Sequence, residues 1–243
     1  MDPLTAVAAS GLRSRMESLE MLANNVANAS TGGYKSDREF YSLYVAPEAA
    51  SDQPTAMPLI ERPWTDFSQA VLTATGNPLD VAISGSGFFA VNSPSGPLYT
   101  RNGGFSLAKD GKLVTADGYA VRAEGGGSLT LSGSGWVEIS ADGTVRQDNN
   151  VAGRLEISDF PKAGSLVKRG NNYFRPADPA VQPVTPATAS VVQGQLEASN
   201  AGSAESAVRL INVMRQFEML QKAVSLGLEM NQRAIQDVAK VGS

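Results

Sequence analysis

Gly85-Ser86-Gly87-Phe88-Phe89-Ala90 matches the GxGxxA pattern of a dinucleotide-binding turn and follows a stretch that reads as a strand. That chemistry needs a helix opening directly after the glycines, with its N-terminus facing the pyrophosphate. Pro94 and Pro97 forbid such a helix, so the glycines read as a tight connection between strands. Asp66, Asp80, Asp110 and Asp117 could converge as a carboxylate pair for glycoside hydrolysis. Asp110 and Asp117 are each followed by glycine, however, and a turn accounts for both. Asn28-Ala29-Ser30 has the form of a glycosylation sequon, but it falls at a predicted helix end in a chain whose first residues, Met1 to Ala9, lack the basic and apolar regions of a signal peptide. The 243 residues include no Cys and no His. Disulfides, thiolate and imidazole metal sites and His-dependent triads are therefore excluded. No catalytic residue, metal, cofactor or small-molecule substrate is expected, and the chain does not read as an enzyme.

Charge narrows the partners. There are 20 basic and 24 acidic residues, for a net charge of -4, and no basic block is interleaved with aromatics. Nucleic acid and anionic membrane surfaces are not expected partners. No window of about 18 apolar residues is present, so no membrane insertion is expected.

The elements that must position anything functional are at the two ends. Asp2-Pro3 is a helix start, an acceptor at the N-cap followed by a residue whose missing N–H costs nothing in the first turn. Leu12, Met16, Leu19, Ala23 and Val26 then recur at helical spacing until Gly32-Gly33 ends the run. The last forty residues form a longer seam. Leu210, Phe217, Val224, Asn231 and Val238 fall at every seventh position, and Met214, Leu228 and Ile235 supply the second set of the heptad. Asn231 would fix the register of that seam, and Gly227 would permit close helix approach.

Between the helices the pattern changes. Residues 34–70 and 176–202, with Pro47, Pro54, Pro58 and Pro63 in one and Pro176, Pro179, Pro183 and Pro186 in the other, read as extended connectors. Residues 71–175 read as an antiparallel β-domain with hairpins at Asp110-Gly111 and Asp117-Gly118 and a further Asp142-Gly143 turn. Two-residue loops would pair Leu107 with Val114 and Val114 with Val121, and Phe105 with Ala116 and Ala116 with Tyr119. The predicted fold is α+β: terminal helices, residues 1–33 and 203–243, paired as a coiled coil around an inserted all-β domain. A carbohydrate-binding or enzymatic β-domain on a coiled-coil oligomer is the competing reading, and it would need Trp64, Trp136, Tyr99 and Tyr119 to line a concave site.

Four blocks carry a resemblance. Ala23-Asn24-Asn25-Val26-Ala27-Asn28-Ala29-Ser30-Thr31-Gly32-Gly33-Tyr34-Lys35 resembles the N-terminal signature of the bacterial flagellar rod and hook proteins. Gly76-Asn77-Pro78-Leu79-Asp80-Val81-Ala82-Ile83 with Gly87-Phe88-Phe89, then Tyr99-Thr100-Arg101-Asn102-Gly103, resembles their middle region, and Gly194-Gln195-Leu196-Glu197-Ala198-Ser199-Asn200 their approach to the last helix. The Arg215-Gln216-Phe217-Glu218-Met219 run is most similar to the proximal rod members, whereas the distal ones are somewhat longer. Ala201 stands where the family usually has Val.

The resemblance implies a structural axial subunit of the basal-body rod. It would be exported across the envelope without a cleaved signal peptide, would transmit torque and would line an export channel. The implied partners are other proximal and distal rod proteins, further copies of the chain and the export apparatus. The residues expected at subunit interfaces are Leu12, Met16, Leu19, Asn24, Val26 and Asn28 on the first helix, and Leu210, Met214, Phe217, Val224, Leu228, Asn231 and Ile235 on the last. An unpartnered helix of this length is marginal in water, so both terminal helices are expected to order on assembly.

Overall fold

The computed structural model describes residues 3–45, 56–132 and 135–241. The chain forms two compact units, each discontinuous in sequence: Met1–Ala27, Asp37–Trp64 and Gly202–Ser243 make unit 1, and Asn28–Ser36 with Thr65–Ala201 make unit 2. Terminal helices pack on each other and an antiparallel β-region is inserted between them in sequence, an α+β fold.

In unit 1, helix α1 (Pro3–Ala27) packs against helix α2 (Ser203–Val241), which at 39 residues is about 58 Å long. Strands β1 (Asp37–Val45) and β2 (Ala56–Thr65) pair in a two-stranded sheet. They occupy the stretch whose prolines suggest an unpaired connector. Pro58 and Pro63 both lie within β2. Pro47 and Pro54 lie outside the described residues.

The packing face of α1 differs from the apolar seam. Its buried positions are Gly11, Ser14, Ser18, Leu22 and Asn25, while Leu12, Leu19 and Val26 are half-buried and Ala23 and Met16 are exposed. Small side chains let the neighbouring backbones approach; a Cβ at Gly11 would lie 3.9 Å from Leu220 Cδ1. Ser18 Oγ donates to the Glu39 carboxylate at 2.5 Å. Asn25 exchanges a pair of hydrogen bonds with the Asp37 backbone, Nδ2 to O at 2.8 Å and Asp37 N to Oδ1 at 3.0 Å.

Unit 2 is built from short strands. Strands β3 (Leu72–Ala74), β4 (Val81–Ser84), β5 (Phe88–Ser93) and β6 (Gly96–Thr100) come first. The largest sheet runs Leu166–Lys168, Tyr173–Pro176, β6, β5, Ala120–Val121, Leu113–Val114, Ser106–Leu107, with Ile157–Ser158 also on β5. Val137–Ile139, Thr144–Gln147 and Asn150–Arg154 make a three-stranded sheet. Ser190–Gln193 pairs with β4 and Gln195–Glu197 with β3. The main core joins Ile83, Phe89, Phe105, Leu113, Val121, Leu129, Val145, Leu155 and Val191. A second cluster holds Phe88, Tyr99, Phe160, Leu166 and Phe174, with Phe67 edge-on to Phe174 at 5.2 Å.

All three Asp-Gly hairpins have a register one residue away from the two-residue expectation. Leu107 pairs with Leu113, Ser106 with Val114, and Val114 with Ala120. Each loop has three residues: Gly111 N donates to Ala108 O, Gly118 N to Thr115 O and Gly143 N to Ser140 O, each followed by a closing pair one residue on. Only the glycines, with φ of 79°, 81° and 86°, take the left-handed conformation. The aspartates stay at negative φ, where Asp110 and Asp142 accept the amides of Lys112 and Thr144, so a type I turn with a glycine bulge replaces the type I′ turn. A one-residue shift exchanges the faces of a strand. On the middle strand the core-facing residue is thus Leu113, with Val114 half-buried; Phe105 and Val121 are buried and Leu107 is exposed. Asp148-Asn149, φ 48° and 67°, makes a two-residue loop that closes Gln147 opposite Asn150 with both residues left-handed and no glycine.

Candidate functional site

The signature blocks of the sequence meet inside unit 2 around one carboxylate. Glu197 ends the strand paired with β3, opposite Leu72, and its side chain is fully buried. Its Oε1 accepts from Lys35 Nζ at 2.7 Å and from the Ala70 amide at 2.9 Å, and its Oε2 accepts from Arg101 Nη1 at 3.3 Å. Lys35 also donates to Ser68 O at 2.7 Å, and Arg101 to Ile83 O at 3.3 Å and Gly85 O at 2.7 Å. The guanidinium sits 5.4 Å from the centre of the Phe88 ring. One carboxylate therefore faces two cations.

Local structure explains how each member arrives. Gly33, at φ 66°, turns the chain against the Arg101–Asn102 backbone, which any Cβ at this position would strike. Its amide donates to Glu197 O at 2.6 Å, and Lys35 follows two residues later. Asn200 closes the same junction: Oδ1 accepts the Ser36 amide at 2.7 Å and Nδ2 donates to Asp66 O at 2.7 Å. Lys168 donates to Lys35 O at 2.7 Å and stands 4.6 Å from the centre of the Tyr34 ring, and Asn172 donates to Gly32 O at 2.8 Å. Residues 28–36 and 195–201 are thereby fastened side by side, and these are the segments from which the chain continues into α1 and α2.

Burial holds the Lys35 ammonium and the Arg101 guanidinium below their ordinary pKa ranges, and the charge of Glu197 opposes that shift in both. Removing one partner of such a buried pair leaves a charge without compensation and costs about 3–5 kcal/mol. The arrangement has no open face for a substrate and no nucleophile. It acts as a clasp.

The carboxylates that could have formed an acid–base pair are engaged one by one. Asp66 accepts the Ser68 amide, Asp80 accepts Asn77 Nδ2, Asp110 pairs with Lys112, and Asp117 accepts the Tyr173 hydroxyl at 2.8 Å. Tyr99 is buried edge-on to Phe160 at 4.8 Å and Tyr119 packs on Tyr173. Both tyrosines are packing residues. Trp136 is 68% exposed in unit 2, and Trp64 belongs to unit 1 with the Arg38 guanidinium 6.0 Å from its ring.

The helices present the second feature. On α2 the inward line is Ser206, Leu210, Val213, Phe217, Leu220 and Val224, buried or half-buried at alternating spacings of four and three. Leu210, Phe217 and Val224 lie on it as the heptad predicts. Its second set is Val213 and Leu220; Met214 and Leu228 are about half exposed. On the opposite side Val208, Ile211, Met219, Leu226 and Met230 are 50–70% exposed. The helix thus carries large apolar side chains on two sides, those on the second interleaved with the exposed Arg215 and Lys222. Gly227 has open space around it. The side chains of Asn231, Ile235 and Val238 lie outside the described residues. Asn24 is exposed on α1, and Asn28 begins unit 2, where its carbonyl accepts the Thr31 amide at 3.0 Å.

The members of the clasp, a Lys, an Arg and a Glu, lie within three of the four signature blocks. The missed signal is that a charged residue inside an apolar, glycine-rich block requires a counterion in another such block.

Comparison with known proteins places these features. Residues 6–35 match the family described as Flagella basal body rod protein, residues 82–147 the Flagellar hook protein FlgE/F/G D1 domain, and residues 192–237 the Flagellar basal body rod FlgEFG protein C-terminal. The chain is 32% identical to the flagellar basal-body rod protein FlgF of Caulobacter vibrioides, over 99% of this chain and 100% of the relative. It is 31% identical to FlgG of the same organism over 94% and 97%, and 32% identical to FlgG of Agrobacterium fabrum over 93% and 95%. Lys35, Arg101 and Glu197 each fall in or between the matched regions, one toward each end and one in the middle. With terminal helices in contact, an inserted β-region and matches from end to end, the chain belongs to the flagellar basal-body rod protein family, whose members are structural rather than enzymatic.

Proposed function

We propose that this chain is a proximal rod subunit of the FlgF kind, which assembles with other rod proteins and with copies of itself through its terminal helices. The observation that carries this reading is the outward face of α2. Five large apolar side chains stand exposed along it while the inward line packs within unit 1. Burying such a side chain is worth about 1.5–3 kcal/mol, so this face has a strong tendency to acquire neighbours. Met16 on α1, with Met214 and Leu228 beside the inward line of α2, extends the apolar surface available to them. Contacts of this kind join unlike surfaces and build an open helical stack. The proposed interface residues on α2 are Val208, Ile211, Met219, Leu226 and Met230, with Met214 and Leu228 beside them; Leu12, Met16, Leu19, Asn24, Val26, Asn28, Asn231 and Ile235 are proposed to join them, while Leu210, Phe217 and Val224 are engaged on the inward line.

In this reading the rod stacks between the export apparatus and the hook, transmits torque through its helical layer and lines the channel. Its subunits arrive without a cleaved signal peptide, and the ends of the helices order as neighbours pack on them. The length match to FlgF supports the proximal assignment, as does the Arg215-Gln216-Phe217-Glu218-Met219 run. Complementation tests it. Motility restored in a Caulobacter vibrioides strain lacking FlgF, and not in one lacking FlgG, is the expected result; the reverse pattern would make the chain a distal rod protein.

A further inference from the structure

The last residues of unit 2 in sequence complete its sheets. Ser190–Gln193 adds a strand to β4, and Val191 is part of the main core. The Gln193 side chain accepts the Ile139 amide at 3.1 Å and donates to Pro78 O and Val137 O at 2.8 and 2.9 Å, joining the three-stranded sheet to the turn before β4. Gly194 O accepts the Thr75 and Gly76 amides while its own amide donates to Asp80 O. Glu197 then supplies the negative charge for two buried cations, one of them 162 residues earlier in the chain.

We infer that residues 190–201 are an obligate closing segment. Until they are present, Lys35 and Arg101 lack the carboxylate that both contact and β3 and β4 have no second strand, so unit 2 stays open. During any N-to-C passage of the chain, whether synthesis or transit across a membrane, the β-region remains unfolded until its final twelve residues emerge. It then closes in one step, bringing together the segments that lead into α1 and α2. Glu197 is a positioning residue in this device, and the free energy it supplies comes late because its side chain reaches back 96 and 162 residues to Arg101 and Lys35.

Pulse-labelled hydrogen exchange during refolding of the full-length protein from urea tests the inference. The amides of Leu113, Leu129 and Leu155 donate to Leu129 O, Val121 O and Gly143 O, all outside the closing segment. They should gain protection in the same phase as Val191 and Gly194, within about twofold in rate. Protection of the three at least tenfold earlier would overturn the inference, because the core would then form without its closing segment. Native-state exchange of full-length Glu197→Gln gives a second readout. Protection should fall by about 10²-fold or more at all five amides together. A fall confined to Val191 and Gly194, or no fall at all, would contradict it. If Glu197→Gln does not fold, the refolding experiment on the unaltered chain still decides.

Discussion

Substitution within the clasp should rank by the charge it leaves behind. With Lys35 and Arg101 protonated and Glu197 ionised, the three side chains carry one net positive charge in a site closed to solvent. Glu197→Gln raises that to two while keeping the shape and the carbonyl that accepts the Ala70 amide. Lys35→Met lowers it to zero, leaves the Arg101–Glu197 pair balanced and replaces the buried stem with an apolar one. Loss of the shared counterion should cost about 3–5 kcal/mol, a large part of the roughly 5–15 kcal/mol that holds a domain together. Loss of the lysine should cost about 1–2 kcal/mol, chiefly for the hydrogen bonds to Ser68 O and Glu197. Urea unfolding of the full-length proteins, followed by near-ultraviolet circular dichroism of the tyrosines and phenylalanines of unit 2, measures both. Equal costs for Lys35→Met and Glu197→Gln, or a cost below about 1 kcal/mol for Glu197→Gln, would refute the role of Glu197 as shared counterion.

Three further outcomes follow from single residues. Gly33→Ala places a Cβ against the Arg101–Asn102 backbone at φ 66°; unfolding midpoints should show a loss of about 2 kcal/mol or more, and an unchanged midpoint would remove the steric account of the turn. Burial raises the pKa of Tyr173 above the ordinary 10.0, and donation to Asp117 adds to the rise. The stability from its protonated hydroxyl is complete below pH 10.0 and is lost as pH rises toward the folded value. Tyr173→Phe should remove that part of the decline in a urea series from pH 9 to 11, on the order of a unit either side of the free phenol's pKa, and identical slopes in both proteins would contradict the assignment. At Asn149, φ 67° in a glycine-free two-residue loop, glycine should stabilise by a few tenths of a kcal/mol, about 0.5, whereas the same change at a position of negative φ would destabilise.

The helices were legible in the sequence because their periodicity is long. Leu210, Phe217 and Val224 recur over enough turns to identify the inward line of α2, and Gly32-Gly33 marks the end of the α1 signal. The face that α1 buries was not legible. Gly11, Ser14, Ser18 and Asn25 are small or polar, and they are buried because they permit close approach and pair with the Glu39 side chain and the Asp37 backbone, a tertiary circumstance that hydropathy does not register. The Asp-Gly turns were found at the right places with the wrong loop length, since the same dipeptide serves both a type I′ turn and a type I turn with a glycine bulge. The clasp was visible only as a likeness. Its three charged members are spread over the chain, with partners up to 162 residues apart, and no local pattern connects them.

The central claim, that this rod-family chain assembles through the outward face of α2, is tested most directly by the paired substitution Met219→Lys with Leu226→Lys. Both side chains are exposed, 62% and 60%, and face away from the inward line, so the folds of units 1 and 2 should keep their circular dichroism and urea midpoints. The measurement is incorporation of the labelled variant into basal bodies isolated from a Caulobacter vibrioides strain lacking FlgF, with the unaltered chain as reference. The account predicts a folded protein that is absent from the rod; a variant incorporated as efficiently as the unaltered chain would contradict it.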